Sequence, residues 1–349
     1  MLKEKTSRKV KLLTCFLSTV SLLLLLWPAM LPASDRDKLD IMVSIAPQKY
    51  FVDKIGGELT NTSILLPPGA SPHTFEPKPS QIRKLGRADL YMTIGVEYEN
   101  ALLPRIKSTH PDLDIVHLDR GIQKISMLQD CGHDHDHGHN HSHDHEHNHG
   151  HDHGHNHDDG HDHNHNQGHN NHDHGHDHHH DHNGDDGLDP HVWLSPDLAM
   201  IIADNVYRAL SQAMPEADTK FRDNYLSFIR DLLELDQEIK SIFSDVPPGN
   251  KFMVFHPAWG YFARAYGLVQ VPVEVEGREP RSADLKELID TARDEDIKVV
   301  FVSPQFSKRS AETIADSIDG ETVSIDPLAE NWKENMLTVA EKFRKAMGH

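Results

Sequence analysis

Cysteine is almost absent from this chain. Cys15 and Cys131 are the only two among 349 residues. Cys15 lies in an N-terminal segment that reads as a removable secretory signal, so an exported protein keeps one thiol and can form no intramolecular disulfide even in an oxidising compartment. Stability then has to come from apolar cores. Other absences narrow the function. Residues 133–186 contain no Lys or Arg, and the chain carries a formal charge of −20. That excess argues against nucleic acid, and against anionic membrane surfaces, as partners. No HExxH, GxSxG or P-loop signature occurs, which removes the most recognisable hydrolase and nucleotide-binding sites.

Histidine, by contrast, is abundant. The chain has 30, and 24 of them fall between His133 and His182, alternating with Asp, Glu, Asn, Gly, Ser and Gln. A run without apolar residues cannot bury surface to offset the entropy of ordering it, so a solvated loop is predicted, bounded at 131–187. Imidazole and carboxylate side chains without fixed geometry suit first-row metals such as Zn²⁺, Ni²⁺, Cu²⁺ or Co²⁺. A plain spacer needs polarity and flexibility but has no use for imidazole.

Residues 1–33 have the form of a signal peptide. Lys3, Lys5, Arg8, Lys9 and Lys11 make a positive start, Leu12 to Met30 is almost wholly apolar, and Ala33 would be the last residue removed. A soluble periplasmic protein is expected, with about 260 residues outside signal and loop, enough for two domains.

From Ile41 short β-rich runs alternate with helical ones: IMVSIAP, QKYFVDKIGG, TNTSILLPP, PSQIRKLGRA, DLYMTIG and DIVHLDRG. The same grammar returns after Lys251 in KFMVFHP, VQVPVEV, SADLKELIDTARDED, IKVVFVSP, KRSAETIADSI and ETVSIDP. This predicts an α/β protein with two similar (βα)4-type lobes, each with a parallel sheet, at 34–214 and 247–349. Between them, over 215–246, apolar residues at Phe221, Tyr225, Phe228, Leu232, Leu235, Ile239 and Ile242 step by three and four. That seam predicts one long rigid linker helix.

Four segments place a metal-binding side chain where a predicted strand ends or a helix begins. They are His73 in PPGASPHTFEP, His191 in LDPHVWLSP, His256 in FHPAWGYF and Asp326 in SIDPLAEN. Ligands of open α/β sheets bind beyond the carboxyl ends of strands, so these positions can meet in a cleft between the lobes. Three imidazoles and a carboxylate form a four-coordinate set suited to Zn²⁺. His110, His117 and His349 stand in a helix-end segment, in a strand and at the terminus, with no such placement.

With these motifs and EGREPRSADLKELI, residues 40–349 resemble the substrate-binding proteins of bacterial ABC transporters for zinc and manganese, in particular the zinc-uptake type with a histidine-rich loop. The resemblance implies one metal in the cleft between two lobes and delivery to a membrane permease powered by an ATPase. It carries over His73, His191 and His256 as ligands, with Asp326 or a water in the fourth position. Manganese-type members carry a carboxylate where this chain has His256, and imidazole in place of a hard oxygen shifts preference from Mn²⁺ to Zn²⁺. The expected function is high-affinity zinc capture for import, by a monomer that is not an enzyme. The competing readings are a binding protein for Ni²⁺ or Mn²⁺ and a zinc-dependent hydrolase. A three-histidine site with an open position can activate water, whereas Asp326 in that position closes the sphere.

Overall fold

A computed structural model describes residues 38–127, 187–274 and 278–349. The expected signal segment and all but the last residue of the expected loop 131–187 lie outside the described residues.

Two four-stranded sheets form, all pairs parallel. The first takes β1 (Leu39–Val43), β2 (Thr60–Ile64), β3 (Leu90–Thr93) and β4 (Asp114–His117) in the order β2-β1-β3-β4. The second repeats that order with β5 (Lys251–Val254), β6 (Val269–Pro272), β7 (Val299–Val302) and β8 (Glu321–Ser324), as β6-β5-β7-β8. Central strands of parallel sheets are covered on both faces and so read as nearly continuous apolar runs. LYMT in β3 is buried at every position, whereas the edge strands DIVH and ETVS are only half-buried.

The chain divides into two compact units. Of the described residues, one holds those up to Gly121 with Pro196–Gln237 and Leu328–Asn335; the other holds those within Ile122–Ser195, Glu238–Pro327 and Met336–His349. Chain order alone groups His191 with the first sheet, but its segment belongs with the second, because Trp193 Nε1 donates to Pro327 O at 2.8 Å and Tyr261 Oη donates to Asp189 O at 2.9 Å.

In the first unit, α1 (Ala46–Gly56) buries Phe51, Val52 and Ile55 and packs against α4 (Pro196–Ala213). The two short helices between β2 and β4 are α2 (Pro79–Leu85) and α3 (Glu97–Thr109). The long helix α5 covers Asp218–Ile242. Its 25 residues extend about 37 Å at 1.5 Å each. Phe221, Phe228, Leu232, Leu235 and Ile239 are buried along it at the expected spacing. Phe51, Phe228 and Trp332 pack as an aromatic cluster, with the Phe51 and Trp332 centroids 5.0 Å apart. Pro215–Ala217 forms a separate 3-10 turn ahead of α5.

The helices of the second unit are α6 (Gly260–Ala265), α7 (Ser282–Asp294), α8 (Arg309–Ser317) and, from Met336 onward, α9 (Trp332–Ala346). Phe343 of α9 is the centre of its core: Phe252 stacks on it at 4.1 Å, and Trp259, Phe262 and Phe301 meet it edge-on. No helix among the described residues is long and apolar enough to cross a membrane.

Candidate metal centre

All four strands of the second sheet deliver a polar or aromatic side chain just past their carboxyl ends. His256 follows β5, Glu274 follows β6, Gln305 and Phe306 follow β7, and Asp326 follows β8. Backbone pairing continues beyond the strands and fixes this register: Phe255 N donates to Phe301 O at 2.7 Å, Glu274 N to Phe255 O at 3.0 Å, and Ile325 N to Val302 O at 2.9 Å. His256 and Glu274 therefore emerge side by side, and His256 Nδ1 lies 2.5 Å from Glu274 Oε2. The imidazole stacks on Phe306, centroids 4.5 Å apart and planes at 21°. Both partners are sealed from solvent, with side chains 4% and 7% exposed.

His191 is held in the same manner. It precedes the short 3-10 turn Val192–Leu194, and Asp189 Oδ1 accepts from His191 N at 2.9 Å and lies 2.7 Å from its Nδ1. Asp189 is 1% exposed and His191 6%. A carboxylate beside each Nδ1 favours the tautomer with the proton on Nδ1 and the lone pair on Nε2. Those two Nε2 atoms face each other at 3.4 Å. Two such lone pairs repel each other unless a proton or a cation lies between them. Around a tetrahedral zinc with bonds of about 2.0–2.1 Å, two ligand nitrogens stand about 3.3–3.4 Å apart.

Asp326, beyond β8, accepts at Oδ1 from Gln305 Nε2 at 2.8 Å. Gln305 Oε1 is buried and has no hydrogen-bond partner among the described residues. Pro327, which follows Asp326, is the acceptor for Trp193, and this ties the end of β8 to the His191 turn.

His73 stands in the first unit, in a segment of successive turns after β2, where Ala70 N donates to Pro67 O and Thr74 N to Ser71 O. Phe75 anchors the segment edge-on against Tyr98, centroids 5.1 Å apart. His73 Nδ1 lies 3.1 Å from Glu97 Oε1, repeating the carboxylate–imidazole pairing, but the ring is 30% exposed. Glu97 and Glu99 occupy the first turn of α3, where acidic side chains complement the helix dipole. Glu99 is 1% exposed, and burial pushes its carboxyl up to about 7.

The four residues singled out from sequence thus divide into a close pair, His191 with His256, and two more, Asp326 and His73, each hydrogen-bonded in its own surroundings. Among the described residues no group of three or more His, Cys, Asp or Glu side chains is assembled that could hold a metal ion. The orienting carboxylates Glu97, Asp189 and Glu274 were not anticipated. Asp189 had a visible signal, two residues before His191 in DPH. Glu274 had one only in its position after a strand that neighbours the His256 strand.

Orienting carboxylates raise ligand basicity and fix the ring, and their removal typically costs 10–100-fold in metal affinity. Glu274→Gln is therefore expected to lower zinc affinity by about that factor while the protein stays folded. A competition titration against a chromophoric chelator measures it; an affinity equal to the parent's would show that the Glu274 carboxylate contributes nothing to zinc binding.

Comparison with known proteins places these features. The family described as zinc-uptake complex component A, periplasmic (ZnuA), matches residues 41–347. The high-affinity zinc uptake system protein ZnuA of Haemophilus influenzae is 40% identical over 310 residues, covering 86% of this chain and 89% of that protein. The zinc-binding protein AdcA of Streptococcus pyogenes is 28% identical, and this chain spans about half of its length. A crystal structure of ZnuA superposes with a TM-score of 0.71 at 34% identity, covering 89% of this chain and 100% of that one. A ZnuA deletion mutant with zinc bound gives 0.69, also at 34% identity, over 89% and 98% of the two chains. With a match that runs through both sheets and every candidate ligand, the chain belongs to the family of periplasmic A components of zinc-uptake complexes.

Proposed function

We propose that this protein captures a single Zn²⁺ ion tightly through His73, His191 and His256, with Asp326 as the fourth ligand, and hands it to an ABC permease for import. Family membership makes it a substrate-binding protein and not an enzyme, with zinc as the transported ligand. The observation that carries the ligand assignment is the 3.4 Å approach of His191 Nε2 to His256 Nε2, with each Nδ1 facing a buried carboxylate. His73, with Nδ1 on Glu97, repeats the imidazole–carboxylate pairing of the other two. The signal at 1–33 sends the chain to the periplasm, where it acts as a monomer, and the histidine-rich segment gathers further, weaker zinc equivalents. A related protein carrying an internal deletion is described with zinc bound, which supports a zinc site that does not need every internal segment.

Competition between zinc and manganese tests the assignment. His256→Glu puts a hard oxygen in place of imidazole and a second carboxylate beside Glu274, so the ratio of zinc to manganese affinity is expected to fall by at least about tenfold. An unchanged ratio would move the discriminating role to another residue.

A further inference from the structure

The described residues of the second unit stop at Met127 and resume at Gly187, and these two ends are stitched together by a very short antiparallel ribbon. Met127 N donates to Gly187 O at 2.9 Å and Asp189 N to Ile125 O at 2.8 Å, flanking the bridge Ser126–Leu188. A two-stranded ribbon of this size is marginal by itself, because two net hydrogen bonds return little. A third element holds it. Tyr261, in the first turn of α6 and 5% exposed, accepts at Oη from Ile125 N at 3.1 Å and donates from Oη to Asp189 O at 2.9 Å. One hydroxyl therefore spans both strands of the ribbon.

Both ends of that bridge lead to the histidine pair. Tyr261 is five residues beyond His256, in the segment HPAWGY, and the start of α6 is pinned where Trp259 N donates to Gln270 Oε1 at 2.7 Å. Asp189 is the residue whose carboxylate takes both His191 N and His191 Nδ1. We propose that Tyr261 is a positioning residue for zinc: it locks the His256 segment to the His191 segment through the ribbon at Ile125 and Asp189, and so makes the base of the histidine-rich insertion part of the zinc site's support. This rests on His191 and His256 being zinc ligands. Coupling of this kind is reciprocal. Zinc between the histidines steadies the ribbon, and loosening the ribbon frees Asp189 to turn and takes His191 Nε2 off its aim.

The test combines one substitution with a measurement on the parent protein. With up to one equivalent of zinc, hydrogen exchange at the Ile125 and Asp189 amides of the parent should slow. Tyr261→Phe keeps the ring and removes the bridge; zinc affinity should fall about tenfold, the lower edge of what orienting groups contribute, and the zinc-dependent slowing at both amides should disappear. A merely structural tyrosine would lower the melting temperature of the metal-free protein and leave the zinc-dependent exchange intact, which overturns the proposal. Absence of slowing in the parent also overturns it, whether or not the variant folds. His191→Ala separates the two layers. If that variant binds zinc like the parent, the ligand assignment has failed; if it loses zinc while Tyr261→Phe matches the parent in affinity and exchange, only the role of Tyr261 has failed.

Discussion

His256→Ala should abolish the tight zinc equivalent, with affinity lowered at least about a hundredfold and the zinc-dependent rise in melting temperature lost. The expectation combines two terms. One of two converging nitrogens is removed, and Glu274, whose side chain is 7% exposed, loses the N–H that its carboxylate faces. A ligand that binds only the folded state stabilises it by RT ln(1 + [L]/Kd), about 2.7 kcal/mol at a hundred times Kd. A hundredfold loss at that concentration removes most of the shift. The alanine also leaves a void against Phe306, which stacks on the native ring, so the metal-free variant should melt lower than the metal-free parent. The quantity to compare is the increment on adding zinc, measured by scanning calorimetry for each protein. If His256→Ala keeps the parent's increment and its competition-derived affinity, His256 is not a ligand.

Much of the fold was legible for a physical reason. Parallel strands covered on both faces read as nearly continuous apolar runs, so IMV, LYMT, FMV and VVFV announce themselves, and helices between them announce the crossovers. The order β2-β1-β3-β4, repeated as β6-β5-β7-β8, was not legible, since alternation does not say on which edge each new strand adds. The ligand candidates stood out because only six histidines lie outside the tract. Their carboxylates did not: Glu97 and Glu274 are two among 55 acidic residues, and only the pairing that puts Glu274 N on Phe255 O shows that Glu274 faces His256. Chain order also gives no hint that the His191 turn packs with the second sheet, because that depends on single distant bonds such as Trp193 to Pro327. The apolar seam of α5 was visible from Phe221 onward, whereas its start was less so, because a proline at 215 suits a 3-10 turn as well as a first helical turn.

The contribution of Glu99 to the stability of the metal-free protein should fall by up to about 3 kcal/mol as pH rises from about 4.5 to about 7. Glu99 reaches back from the first turn of α3: Gly95 N donates to its Oε2 at 2.8 Å and Ile94 N to its Oε1 at 3.1 Å. Gly95 makes the approach possible with a φ of 86°, in the left-handed region. Burial is the dominant cause that lifts the carboxyl from 4.5 to about 7, and the Asp119 charge adds to it; the Ser44 hydroxyl and the N–H groups of Gly95 and Ile94 oppose it. The other groups around it, Tyr91 and Tyr98, have phenols that burial pushes up, so they stay neutral across this window. The sign follows from proton counting. Below 4.5 the carboxyl is protonated in both folded and unfolded chains, and the site contributes nothing. Between the two values the folded protein keeps the proton that the unfolded chain has released, so each step up in pH favours unfolding. Above about 7 the penalty is complete. Glu99→Gln cannot titrate and should lose this slope, although its amide offers one acceptor in place of two and lowers stability at the acid end. Denaturant unfolding of both proteins at several pH values between about 5 and 8, with chelator present, gives the difference directly, and titration of histidines elsewhere cancels in it. The variant should gain on the parent steadily through that range. A difference that stays constant with pH would mean that Glu99 is already ionised at pH 5 and that its N–H donors outweigh its burial.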